Sequence, residues 1–186
     1  MGEIDPRPGG RTLFYTRNGA HSVTGMDIAV EAGKRAKLIW VDGCQTEAAL
    51  AMLEAAHGTD CRSVIDIESG DSNIMRKLIE LATDAILPLG AAQRLSGETE
   101  PTDTLKKLSS WTRAQLVVTD GVNGSWALVD DKVIHQPSFK VNVVDTTGCG
   151  DAYHGAYASA LLDGLPLPWR LEFASWVAAE VALKLG

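Results

Sequence analysis

Residues Ser63–Leu89 read SVIDIESGDSNIMRKLIELATDAILPL, and this stretch decides the fold class. It opens on an apolar run, Ser63–Ile67, and closes on another, Ala85–Leu89. Both are near-continuous rather than alternating, the pattern of strands buried on two faces. Between them, Asn73–Ala82 carries helical spacing. Strand, helix and strand in that order predict a βαβ unit in a parallel sheet.

The same alternation extends outward. Thr12–Arg17, Lys37–Asp42 and Gln115–Thr119 read as further strands, and Glu47–Ala56, a short Ala91–Leu95 and Thr102–Trp111 as helices. After Thr119 the pattern changes. Ser125–Val129 and Lys132–His135 flank Asp130–Asp131 and predict a hairpin. Val141–Val144 predicts a strand leading into a helix from Cys149 to Leu162, stopped by Gly164 and Pro166, with a last helix over Trp169–Leu185. The expectation is one α/β domain over residues 1–186, a doubly wound parallel sheet with helices on both faces. Its first strand starts almost at once and nothing follows its last helix. Such sheets ordinarily continue past both points, so the chain is expected to be part of a larger domain.

Composition narrows the function. Of 186 residues, 24 are acidic and 17 basic, a net charge of −7. No cluster of Lys and Arg stands out, which argues against nucleic acid and anionic membrane as partners. No apolar stretch is long enough to span a bilayer and the N-terminus lacks a leader-like apolar run, so a cytoplasmic location is expected. Cys44, Cys61 and Cys149 are scattered without ligand spacing and read as reduced thiols.

The chemistry concentrates in Asp145-Thr146-Thr147-Gly148-Cys149-Gly150-Asp151. It stands between an apolar run and a helix, at the sheet end where open α/β folds bind ligands. Glycines there let backbone approach a ligand, and the amides of Gly148, Cys149 and Gly150 are expected as helix-start donors for an anion. Asp151, in the first helical turn, is aimed at the same space. Donors for negative charge beside a carboxylate that can accept a hydroxyl proton suit phosphoryl transfer. The P-loop pattern is absent, and the dinucleotide fingerprint fails because Tyr153 stands where its third glycine belongs. The plain alternative is a capped helix start with Asp151 facing the dipole.

The segment DTTGCGDAYHGAYASALLDG resembles the C-terminal signature of the ribokinase (PfkB) family of carbohydrate kinases. Thr119-Asp120-Gly121-Val122-Asn123-Gly124 resembles the family's T-x-G-x-x-G turn, and Trp40–Gly43 and Val64–Asp66 resemble strand ends of its ketohexokinase-like members. The resemblance implies a ribokinase-like fold, here truncated at the N-terminus, and transfer of phosphoryl from ATP with Mg2+ to a sugar hydroxyl. It implies Asp151 as catalytic base, Gly148, Cys149 and Gly150 as anion hole, and Thr119, Gly121 and Gly124 along the nucleotide phosphates. A monovalent cation near Asp145 and Thr147 is implied as well. The family's N-x-x-E motif is missing: its aligned positions, ahead of Leu95-Ser96-Gly97, hold Pro88 and Ala91. Two alternatives stay open, a nucleoside or small-alcohol kinase of the same superfamily and a non-catalytic nucleotide-binding remnant. A homodimer is compatible with both.

Other residues favour structural roles. Asp42 and Asp66, at strand ends, read as turn or cap carboxylates before sugar or metal contacts. Arg17 reads as an edge-strand guard before a sugar contact. His154 shares a helical face with Asp151 but reads as packed or solvated. Trp40, Trp126 and Trp176 read as core or subunit contacts.

Overall fold

The computed structural model describes residues 2–4, 11–13 and 26–185. Gly2–Ile4 (β1) and Arg11–Leu13 (β2) form a separate antiparallel ribbon. Helix α1 follows at Met26–Arg35. The main sheet has six strands, β3 (Leu38–Asp42), β4 (Arg62–Asp66), β5 (Asp84–Pro88), β6 (Gln115–Thr119), β7 (Ser125–Val129) and β8 (Lys132–Gln136). They lie side by side in chain order. Pairing is parallel from β3 to β6 and antiparallel from β6 to β8. Helices α2 (Thr46–Ala56), α3 (Ser72–Leu81), α4 (Leu89–Ser96) and α5 (Pro101–Ser109) fall between the parallel strands, and α6 (Cys149–Leu162) and α7 (Leu167–Ala182) come last.

Period-2 burial explains why the strand runs are apolar throughout. Ile65, Ile67, Ala85, Leu87, Leu116 and Val118 join the core under α2–α5. Their neighbours Val64, Ile86 and Val117 join a second core, under α6 and α7. Helices thus cover both faces, as predicted. Local signals set the boundaries. The Asp71 side chain accepts from the amides of Asn73 and Ile74 at the start of α3. Asp130 and Asp131 both take positive φ, the geometry of a two-residue hairpin turn between β7 and β8.

Two expectations need correction. The strand Thr12–Arg17 is not part of the main sheet: residues 11–13 pair with residues 2–4, and Phe14–Arg17, Arg17 included, lie outside the described residues. Val141–Val144 is no strand, because its end bonds to a helix rather than to a ladder. The amides of Val144 and Asp145 donate to the Ala182 carbonyl at the end of α7, at 2.8 and 3.4 Å. The predicted hairpin is present and continues the parallel strands as an antiparallel edge. Helix α1 was not anticipated. It packs on α2 so closely that a Cβ on Gly33 would meet the Met52 carbonyl.

Candidate functional site

The loop before α6 is built by its own side chains. Asp145 Oδ1 accepts from the Thr147 amide at 2.9 Å and from Thr147 Oγ1 at 2.8 Å, which folds the chain back on itself. Gly148 caps α6 with φ 78°, a conformation costly for any residue bearing a Cβ. The first intrahelical bond runs from Ala152 to the Gly148 carbonyl at 2.8 Å. The Cys149 amide already donates to the Thr146 carbonyl at 3.2 Å. The amides of Gly148 and Gly150 meet no acceptor among the described residues. A Cβ on either glycine would meet nothing within 4 Å, so the space in front of the loop is open. Asp151 stands exposed in the first turn beside it.

The second motif lies at the end of β6. A 3₁₀ turn over Gly121–Asn123 leads into Gly124, and Asp120 receives the Asn123 amide on its carbonyl at 2.9 Å while donating to the Gly124 carbonyl at 2.8 Å. Gly124 has φ 89°, and a Cβ there would run into the Gln136 carbonyl. One hydroxyl pair ties the two motifs together: Tyr153, on α6, donates to Ser125 Oγ at 2.8 Å, and Ser125 is the register partner of Thr119. Burial pushes the Tyr153 phenol far up, so it remains a proton donor.

A third group completes this end of the sheet. Asp42 and Asp66 are register partners on β3 and β4. Asp42 Oδ1 accepts from the Cys44 amide at 3.0 Å, the turn role predicted for it. Asp66 behaves differently. Its Oδ2 stands 3.4 Å from His154 Nδ1, and its Oδ1 is buried without a hydrogen-bond partner. Desolvation raises the Asp66 carboxyl above the ordinary carboxylate range; His154 opposes the shift, and the charges of Glu68, Asp151 and Asp42 add to it. The packed reading of His154 holds: the ring is 3% exposed and stacks on Trp40, centroids 6.0 Å apart. Its pairing with Asp66 was not legible, since it joins positions 88 residues apart in chain order on elements from opposite ends of the fold. Pro88 ends β5 and Ala91 is buried in α4, so neither supplies a polar group here. Among the described residues, no group of three His, Cys, Asp or Glu is arranged to hold a metal.

Residues 3–186 match the model of the pfkB family carbohydrate kinases. The chain belongs to that family. Among curated pfkB-type relatives, a ribokinase of Bacillus subtilis is 35% identical over 86 residues, which is 46% of this chain and 29% of the relative. A 2-dehydro-3-deoxygalactonokinase of Haloferax volcanii is 41% identical over 69 residues, 37% of this chain and 21% of the relative. Among solved structures, Arabidopsis thaliana ribokinase with ribose and ATP superposes with a TM-score of 0.76 at 23% identity, covering 86% of this chain and 54% of that one. Ribokinase of Thermotoga maritima gives 0.78 at 19%, covering 97% and 61%. The chain therefore spans well under two thirds of the length of these pfkB-type relatives. Their likeness supports the expected ribokinase-like α/β fold.

Proposed function

We propose that residues 1–186 are the C-terminal, phosphate-handling portion of a cytoplasmic kinase that moves the γ-phosphoryl of ATP to a sugar hydroxyl. The observation that carries this reading is the helix start at Gly148. The amides of Gly148 and Gly150 meet no acceptor among the described residues, the exposed Asp151 follows in the same helical turn, and Tyr153 ties this helix to the Thr119–Gly124 turn. In this reading Gly148, Cys149 and Gly150 line the hole that takes the developing phosphoryl charge. Thr119, Gly121 and Gly124 border the remaining phosphates. Asp151 accepts the proton of the sugar hydroxyl as that oxygen attacks the γ-phosphorus and ADP leaves. Magnesium belongs to the reading as an ion carried on the ATP phosphates, since it binds through few protein ligands and keeps its waters. A monovalent cation belongs beside the Asp145–Thr147 turn.

The test is Asp151→Asn in the complete gene product. ATP binding should persist while turnover falls by about two orders of magnitude or more, the scale of general-base loss. Near-normal turnover in that variant removes Asp151 from the chemistry. The same assay run with nucleosides separates the nucleoside-kinase alternative from the sugar kinase, and activity with neither favours a nucleotide-binding remnant.

A further inference from the structure

The kinase reading leaves one buried, chemically able side chain without a task. His154 sits three residues after Asp151 on α6, and every polar neighbour of its ring is an oxygen. Nδ1 lies 2.8 Å from the Gly150 carbonyl and 3.4 Å from Asp66 Oδ2; Nε2 lies 3.4 Å from the Ile86 carbonyl. These acceptors belong to α6, β4 and β5. Oxygen acceptors around Nδ1 require a proton there, so the ring donates. The remaining neighbours are Trp40 of β3, stacked on the ring, and the edge of Tyr153. Among the described residues Asp66 pairs with no other cation. Asp42, Glu68 and Asp151 surround it with like charge, and its buried Oδ1 has no donor.

We propose that His154 is a positioning residue: by bonding from Nδ1 to the Gly150 carbonyl while its ring lies against the Asp66 carboxylate and the Ile86 carbonyl, it fixes the first turn of α6 against the ends of β4 and β5. The assignment rests on the kinase reading, because it gives His154 the task of holding the open amides and Asp151 in place. The Gly150 carbonyl that His154 meets at 2.8 Å lies in the first turn of α6, the turn that carries Asp151. A first turn held against the strand ends keeps that carboxylate in place, and a misplacement of about 1 Å at such a site can cost two orders of magnitude in rate.

The test compares His154→Asn with His154→Phe in the complete gene product, using a non-hydrolysable ATP analogue and calorimetry. Asn places an amide donor near the site of Nδ1. Phe keeps the ring on Trp40 and removes the donor. Positioning by hydrogen bonding predicts that His154→Asn binds within about threefold of wild type while His154→Phe loses about tenfold, the scale of a hydrogen bond to a charged partner. Packing alone predicts the reverse order, and that result overturns the proposal. A second measurement needs no variant and no nucleotide. Nitrogen-labelled histidine in the wild-type chain should show a slowly exchanging proton on Nδ1 of His154, and a ring protonated on Nε2 alone overturns the proposal. A wild-type chain that does not bind the analogue counts against the kinase reading, and the nitrogen spectrum then decides His154 by itself.

Discussion

Asp84 has no exposed surface and collects four donors. Arg62 Nη2, Thr83 Oγ1 and Tyr157 Oη lie at 2.9 Å and Arg170 Nη1 at 3.4 Å. Burial and the Asp84 charge both push the Tyr157 phenol far up, which keeps its proton available to donate. Asp84→Ala would leave two guanidiniums facing each other without a counter-ion, and losing one partner of a buried ionic cluster costs about 3–5 kcal/mol. Urea denaturation should show that loss, and a change under 1 kcal/mol would mean the arginines simply turn to solvent. Asp66 stands at the opposite end of the same sheet. Its folded carboxyl is raised by desolvation, so the stability it contributes is present below the unfolded value and declines as pH rises through the folded one. Asp66→Asn should therefore flatten the stability–pH curve just above the ordinary carboxylate range, relative to wild type. Parallel curves for the two proteins would refute the assignment.

Among the elements, α6 carries the proposed site at its start, where a thiol can report on ligand. Cys149 is half-buried at the N-terminus of a 14-residue helix, beside the proposed phosphate site. Burial pushes the Cys61 thiol up. Alkylation followed by mass spectrometry should show Cys149 shielded by ATP and Cys61 slow with or without it; equal labelling of Cys149 in both conditions would put the nucleotide elsewhere. The element also shows what could be read in advance. The range of α6 was legible because Gly148, the small residues behind it and Gly164 bound a helical run with strong local punctuation. The strand at Val141–Val144 was misread because local apolarity carries no information about a partner, and its end pairs with α7. Helix α1 was missed because close packing of Gly33 on Met52 is a tertiary fact that a glycine in isolation does not announce. Asp66 was read as a turn residue for the same reason. Its real neighbour arrives from a helix near the other end of the chain.

For the molecule as a whole, the sheet is bounded by β3 and β8, and among the described residues no strand pairs with the outer side of β3. Trp40 on that edge is 43% exposed, and Trp169 and Trp176 on α7 are 62% and 48% exposed. An open strand edge with an exposed Trp40, together with exposed rings on α7, favours association of chains. Phosphoryl transfer also needs the acceptor held in line and shielded from water. Residues 1–186 alone should therefore self-associate, bind ATP weakly and turn over no sugar. Sedimentation and coupled ADP release over a panel of ketoses and aldoses check both statements. A monodisperse monomer removes the first, and saturable turnover on any sugar removes the second.

The strands enter the sheet in the order in which the ribosome makes them, each beside its predecessor. The face under α2–α5 can therefore close progressively during synthesis. The other face cannot. Val64, Ile86, Val117 and Ala127 wait for α6 and α7, which complete their cover only at Ala182. At about 5–20 residues per second, the last 55 or so residues take roughly 3–11 s to emerge. For that interval a nascent sheet shows one bare apolar side, the kind of surface that chaperones hold. The Asp145–Asp151 loop lies in the segment whose arrival ends that exposure, so the candidate site and the cover of this face form together.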